Sequence, residues 1–459
     1  MTWTRRALLA SAAAAAVGGG AWATLAARRR RPPNIVLILT DDQGYNDLGC
    51  TWRPPVGGPA EAIRTPRLDR MAAEGARLST FYVAASICTP SRAALLTGCY
   101  PPRVGYGHKE AGLGVHSPKS VGGLHPDEVT IAEALRSVGY ATACIGKWHL
   151  GHHPPFRPTN QGFDDFFGIL WSNNQQPLPL VHNDTVLRRL PERPALDGQL
   201  TRSAIEWASR HRDQPYFLYL AFSAPHEPWA VLPEFRGKSP RGLYGDMIES
   251  IDHHVGMLLD ALEQQGVAED TLVVFTSDNG PWLHPEGGSA FPFRGGKSDS
   301  WEGGVRSPCL WRWPGVLPEG VVIDELVSAL DLLPTFAGLA GATLSDRVID
   351  GHDVWPVVTQ GAKSPTDAFY YYARGRLEAV RSGRWKMMFE NPIRETPIAE
   401  GLYDLVDDPG EQRSLLADRP EEAARLRALG DAMRARLGDA LREQPGPEER
   451  PIGLWTEGT

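Results

Sequence analysis

The sequence predicts an α/β fold: a large, mostly parallel sheet flanked by helices, followed by a smaller C-terminal α+β unit. Three observations predict it. Apolar strand-like runs alternate with helix-like segments as far as about residue 365. Several of those runs end abruptly in acidic, amide or basic residues. Beyond residue 365 the strand segments follow one another without helices between them.

Taken in order, residues 34–40 (NIVLILT) read as a buried parallel strand with Asp41 and Asp42 at its C-terminal end. A helix is expected over 66–75, with Thr65 as N-cap and Pro66 at the first helical position. A second helix is expected over 91–97, opening just after Cys88. Residues 129–139 form an amphipathic helix and 140–145 a strand. Residues 216–223 form a strand running into Ala224-Pro225-His226. A long helix over 244–265 precedes a strand over 271–276, which ends in Ser277-Asp278-Asn279-Gly280. Close-set strands follow at 368–372, 378–381 and 385–389, then a charged helix over 421–443. The domains expected are an export signal over 1–31, a catalytic α/β domain over 32–365 and a smaller α+β domain over 366–459.

The composition, 42% hydrophobic and 22% charged, is that of a folded soluble protein. A net charge of −8 gives no reason to expect nucleic-acid binding. The five cysteines are an odd number and too sparse for a disulfide framework, so one of them stays unpaired or is chemically special. Arg5-Arg6 followed by an Ala-rich apolar stretch over 7–27 reads as a twin-arginine (Tat) export signal, with the Tat translocon as partner and a periplasmic or extracellular destination. The alternative is an uncleaved anchor, since the stretch reaches the ~20 residues needed to span a bilayer.

Asp41, Asp42, Asp278 and Asn279 offer short oxygen ligands at strand ends, which suits a hard divalent cation. Alone, each pair also fits an ordinary turn after a strand. Cys88-Thr-Pro-Ser-Arg92 places a cysteine in a polar, Pro-broken segment before a helix whose N-terminus favours an anion, with Arg92 one turn away. Lys147 and His149 follow one strand, His226 another, and Lys297 lies in a Gly-rich loop. A metal, several cations and two histidines at strand ends would bind a tetrahedral oxyanion and stabilise charge in its transfer. His152, His153, His253 and His254 read as ordinary histidines, and Trp282, Trp301 and Trp311 as packing residues.

At these residues the sequence resembles the type I sulfatases, the formylglycine-dependent, arylsulfatase A-like members of the alkaline phosphatase superfamily. Cys88-x-Pro-x-Arg92 is similar to the motif read by the formylglycine-generating enzyme. Asp41-Asp-Gln-Gly44, Gly146-Lys-Trp-His149, Ser277-Asp-Asn-Gly280 and Gly296-Lys297 through Arg306 follow in the family's order, and Leu402-Tyr-Asp-Leu405 with Asp408-Pro409 resembles its C-terminal signature. The resemblance covers roughly residues 33–440 and implies a C-terminal domain built on an antiparallel sheet. It implies that Cys88 is oxidised to formylglycine (3-oxoalanine) and that Asp41, Asp42, Asp278 and Asn279, with position 88, hold Ca²⁺, with Mg²⁺ or Mn²⁺ as alternatives. It gives Arg92 a supporting role, makes Lys147 and Lys297 sulfate-binding, puts His149 against the hydrated aldehyde and His226 at the leaving oxygen, and adds Ser172 as a polar contact. The implied reaction is hydrolysis of a small-molecule or carbohydrate sulfate ester. A hydrated aldehyde attacks sulfur, a sulfate hemiacetal forms, and sulfate is expelled as the aldehyde returns. The alternatives are a phosphonate monoester or phosphodiester hydrolase of the same superfamily and a catalytically inactive binding protein. The segment 173–200 matches no pocket the sequence identifies.

Overall fold

The computed structural model describes residues 32–55, 61–107, 114–188 and 192–456, so the export segment over 1–31 lies outside the described residues. The main sheet has ten strands. They are β1 (Asn34–Thr40), β2 (Ala76–Leu78), β3 (Ala141–Lys147), β4 (Asp165–Ile169), β5 (Leu180–His182), β6 (Thr185–Arg188), β7 (Tyr216–Ala221), β8 (Thr271–Ser277), β9 (Cys309–Arg312) and β10 (Val321–Ile323). Their order across the sheet is β10-β2-β9-β8-β1-β7-β3-β4-β5-β6. The central run β8-β1-β7-β3-β4 is parallel throughout. Antiparallel neighbours, β9 on one side and β5 on the other, border it. Every residue of β1, β3, β7 and β8 is buried, which is why these runs are apolar without alternation.

The helices pack in two mutually contacting groups. One holds α1 (Pro66–Ala73), α4 (Arg193–Arg210) and α5 (Gly242–Gln264); the other holds α2 (Cys88–Thr97), α3 (Ile131–Arg136) and α6 (Leu332–Ala340). A second sheet of four antiparallel strands follows: β11 (Phe369–Ala373), β12 (Arg376–Ser382), β13 (Trp385–Met388) and β14 (Gly401–Asp404). Helix α7 (Pro420–Leu437) packs on β12 and β13. Gly438, at φ +69°, ends it six residues before the expected stop at 443.

Several local expectations change. Helix α2 starts at Cys88 itself, not at Ser91, because Pro90 fits the first turn, where its missing N–H costs no helical bond. The N–H groups of Arg67 and Leu68 in α1 are capped by Asp252 of α5, while the Thr65 hydroxyl donates to Asp69. Helices α4 and α6 were not anticipated. The buried stripe of α4 is sparse (Leu196, Leu200, Ala204, Trp207), and Pro334 interrupts the apolar run of α6. Trp282 is 40% exposed and packs at the surface, stacked on His284 and tilted against Trp229. Among the described residues no helix is long and apolar enough to cross a membrane. All five cysteines are free.

Candidate active site

Because β8, β1, β7 and β3 are parallel neighbours, their C-terminal ends share one edge of the sheet, where ligands bind in open α/β folds. β1 delivers Asp41 and Asp42, and β8 delivers Asp278 and Asn279. β3 ends on Lys147 and leads to His149, and the segment after β7 carries His226. The first turn of α2 brings Cys88 and Arg92. The loop after β8 returns Lys297, whose N–H donates to the Pro281 carbonyl.

The charges meet in a buried cluster. Lys147 Nζ lies 2.5 Å from Asp41 Oδ2 and donates to Ser172 Oγ at 3.2 Å. Arg92 Nη2 lies 2.8 Å from Asp278 Oδ2 and 3.6 Å from Asp41 Oδ2, and its Nη1 donates to the Lys147 carbonyl. Lys297 Nζ lies 2.6 Å from Asp42 Oδ2, and Asn279 Nδ2 donates to Asp42 Oδ1 at 2.7 Å. Burial works against ionisation of Asp41, but Lys147, then His226, Arg92 and Lys297, hold its carboxyl well below the usual range. For Asp278, burial and the charge on Asp41 outweigh Arg92 and push the carboxyl up to about 7.

Cys88 is buried at the mouth of this cluster, and burial pushes its thiol up to about 12. His149 Nε2 donates to the His116 carbonyl at 2.8 Å, which leaves Nδ1 as a buried acceptor without a partner among the described residues. Burial, reinforced by Lys147 and Arg92, holds the His149 pKa well below its usual value, so the ring is neutral. His226 Nδ1 donates to the Glu227 carbonyl at 2.7 Å, and its Nε2 stands 3.6 Å from Asp42 Oδ2. Asp42 (φ +67°), His149 (φ +64°) and Ser298 (φ +72°) all take left-handed backbone conformations, a strain that concentrates at functional sites.

The side chains fit a cation. One ligand atom each from Asp41, Asp42, Cys88 and His226 lies within 4.8 Å of the others. Asp41 Oδ1 and Asn279 Oδ1 are buried acceptors that no described group satisfies. Buried oxygens of that kind are costly unless something positive meets them, and hard oxygen donors select a hard ion.

The Sulfatase family model matches residues 33–342, and the model for the C-terminal part of N-sulphoglucosamine sulphohydrolase matches 297–438. Human arylsulfatase A is 38% identical over 472 residues, covering 90% of this chain and 90% of its own. The chain belongs to the sulfatase family. Its reaction class is the hydrolysis of sulfuric esters. A solved structure, Ps i-CgsB in complex with k-i-k-neocarrahexaose, has a TM-score of 0.78 at 30% identity and covers 88% of this chain and 93% of that one. The phosphonate monoester hydrolase of Silicibacter pomeroyi, at 18% identity, a TM-score of 0.63 and 87% and 94% coverage, shares the fold alone.

In this sulfatase all the residues singled out in the sequence converge on one cavity of about 330 Å³ or on the charges behind it. Cys88, His149, Ser172, His226 and Lys297 line the cavity. Asp41, Asp42, Arg92, Lys147, Asp278 and Asn279 form a buried polar network joined to it through Ser172 and Lys297. Sequence reasoning missed several contributors. His116 supplies the carbonyl that orients His149, and Gln175 donates to the same oxygen. Asn174, Gln175 and Arg374 line the cavity. The polar run Asn173-Asn174-Gln175 after Ser172 was the available signal for the first two; Arg374 had none, because it arrives from the second sheet.

Proposed function

We propose that this sulfatase hydrolyses sulfate esters to an alcohol and inorganic sulfate, using formylglycine at position 88 and a divalent cation held by Asp41, Asp42, Asp278 and Asn279. The observation that carries the reading is the placement of buried Cys88, the first residue of α2, with Asp41, Asp42 and His226, in a cluster where acceptor oxygens of Asp41 and Asn279 lack partners among the described residues. Burial works against a thiolate at this position. Ca²⁺ is the ion proposed, because the donors are oxygens.

Once bound, the cation would supply positive charge to a sulfate oxygen and to the nucleophile. Hydrated formylglycine would supply two hydroxyls, one to attack sulfur and one to release sulfate. The protein's own groups do the rest. His149 Nδ1, a neutral acceptor fixed by the bond from Nε2 to the His116 carbonyl, takes a hydrogen bond from a hydroxyl at position 88. Lys147 and Lys297 neutralise sulfate oxygens, with Ser172 holding the Lys147 ammonium. His226 Nε2 protonates the departing oxygen, its ring oriented by the bond from Nδ1 to the Glu227 carbonyl. Arg92 balances Asp278 and Asp41.

The same reading assigns residues 32–365 to the catalytic domain and 366–459 to the smaller one. It makes the formylglycine-generating enzyme a maturation partner and export through the Tat translocon the route taken by the chain. The test is mass spectrometry of the peptide spanning Cys88 in enzyme that turns over 4-nitrophenyl sulfate. An aldehyde that reacts with hydrazide probes is expected. An ordinary thiol in fully active enzyme overturns the mechanism.

A further inference from the structure

The catalytic cavity does not end at the sulfate-binding groups. A second cavity, of about 370 Å³, adjoins it, and Ile87, Ser298 and Arg374 line both. That volume lies within the ~300–1,000 Å³ typical of ligand sites. One wall is the turn between β11 and β12, where Arg374 stands at the boundary of the two cavities and Gly375 packs against Gly107.

The turn is built to present arginines. Ala373 pairs with Arg376, so Arg374 and Gly375 are a two-residue loop, and their φ angles of +52° and +74° make both central residues left-handed. Asn, Asp or Gly is the usual occupant of the first such position. A long, branched cation held there is uncommon and points to a use for its side chain. Gly375 is also fixed by space, because a Cβ on it would stand 2.3 Å from the Gly107 carbonyl oxygen.

The charges around this cavity are not balanced one for one. Arg394 pairs with Glu378 at 2.5 Å and with Asp299 at 3.2 Å, which accounts for those two carboxylates. Glu378 also accepts from Asn391 and Ser300. Arg374 and Arg376 line the cavity and have no carboxylate partner among the described residues. Glu395 at the rim is the one lining carboxylate left unpaired there. Two free guanidinium groups beside a cavity that opens onto the sulfate site match a planar, multi-oxygen anion better than a neutral group.

We propose that this cavity is a second anion subsite: Arg374 and Arg376 bind a sulfate or carboxylate carried on a neighbouring unit of the same substrate, which makes the substrate a polyanionic sulfated saccharide of at least two rings. The inference rests on the sulfatase reading of the first cavity and names the substrate class for it. A single sulfate group would occupy the catalytic cavity, and a second anion one ring away would reach the arginines, converting the second contact into an intramolecular one.

The test uses disaccharides as competitive inhibitors of 4-nitrophenyl sulfate hydrolysis. Each is supplied with sulfate on one ring and with sulfate on both rings, in several linkages. In the native enzyme the second sulfate is expected to tighten inhibition about tenfold for at least one linkage. In Arg374→Ala/Arg376→Ala that ratio should fall to within about twofold of one, and Arg376→Lys should keep part of it. Because the ratio is taken within each variant, a change in turnover of the aryl ester cancels. A native ratio near one for every linkage overturns the subsite, as does a ratio that survives the double variant. Failure of native, aldehyde-bearing enzyme to release sulfate from the aryl ester and from every disaccharide overturns the proposed mechanism instead, and calorimetric titration of the same disaccharides then still measures the ratio.

Discussion

The segment from Lys297 to Glu302 touches a buried charge cluster at each end. At its start, Lys297 joins Asp41, Asp42, Asp278, Arg92 and Lys147, a group that leaves acceptor oxygens of Asp41 and Asn279 without partners and opens onto a cavity. At its end, Glu302 is enclosed against the second sheet. Its Oε1 accepts from Tyr371 and Lys386, its Oε2 accepts from Tyr82, and Arg381 stands 4.0 Å away. Lys386 also pairs with Glu411 at 2.8 Å and donates to the Ser300 carbonyl. Both clusters bury charge at similar depth. Among the described residues the first leaves two acceptor oxygens unmet, and the second directs its cation at protein carboxylates. Burial and charge density therefore do not identify a site; partnerless acceptors beside a cavity do.

The largest effect expected from this contrast is at the first cluster. Asn279→Ala removes one of the partnerless acceptors while losing only the amide's bonds to Asp42 and the Gly280 carbonyl. Metal content measured by atomic spectroscopy should fall, and kcat/KM for an aryl sulfate should drop on the order of 10²–10³-fold, as for loss of one preorganised electrostatic group. The folded fraction should change little. Full activity in a metal-stripped sample would break the comparison at its root.

At the second cluster the order reverses. Lys386→Met takes away the cation that Glu302 and Glu411 share, leaving two buried carboxylates facing each other. Removing one partner of a buried ion pair costs about 3–5 kcal/mol, so the denaturation midpoint should fall clearly. Activity per folded molecule should fall far less than in Asn279→Ala. A variant as stable as the native protein but inactive would show that the second cluster belongs to the chemistry after all.

Much of the first cluster was legible because its residues sit at the ends of apolar strands. The run Asn34–Thr40 announces a buried strand, so Asp41 and Asp42 stand out against it, and Thr271–Ser277 does the same for Asp278 and Asn279. The Cys-x-Pro-x-Arg spacing exposes Cys88 and Arg92 in the same way. The second cluster and the arginine turn were not legible. Glu302, Lys386, Glu411 and Arg374 come from segments far apart in the chain, and nothing local distinguishes a glutamate that will be enclosed by two tyrosines and a lysine from one on the surface. Burial of Glu302 and Lys386 is decided by how the second sheet docks, a tertiary fact without a sequence period. Helix α4 escaped for a related reason: its core contacts are four residues spread over an otherwise polar stretch.

The smallest predicted effect concerns pH and one proton. Glu302 and Glu411 compete for Lys386. Burial opposes the charge on Glu302, but Lys386 first, then Arg381 and Arg306, hold its carboxyl down to about 2. For Glu411 burial dominates, Lys386 offsets it only in part, Glu302 adds repulsion, and the carboxyl rises to about 7. A carboxyl raised above its unfolded value of 4.5 binds more protons folded than unfolded. Its contribution is therefore complete below pH 4.5 and is lost as pH rises through 7. Glu302 behaves in the opposite sense, and its contribution disappears only as pH falls toward 2. Of these two carboxyls, only Glu411 titrates between pH 5 and 8. Glu411→Gln removes the titrating carboxyl and keeps an oxygen for the Glu302 N–H, while its amide NH₂ replaces the oxygen that accepts from Lys386. The stability difference between variant and native protein at pH 5 is the reference. From pH 5 to pH 8 that difference should move in the variant's favour by about 1–3 kcal/mol, because the variant carries no carboxyl to be ionised. Denaturant titrations of both proteins at the two pH values measure the difference. A native advantage that grows with pH would mean that Glu411 is ionised throughout and that Lys386 serves it before Glu302.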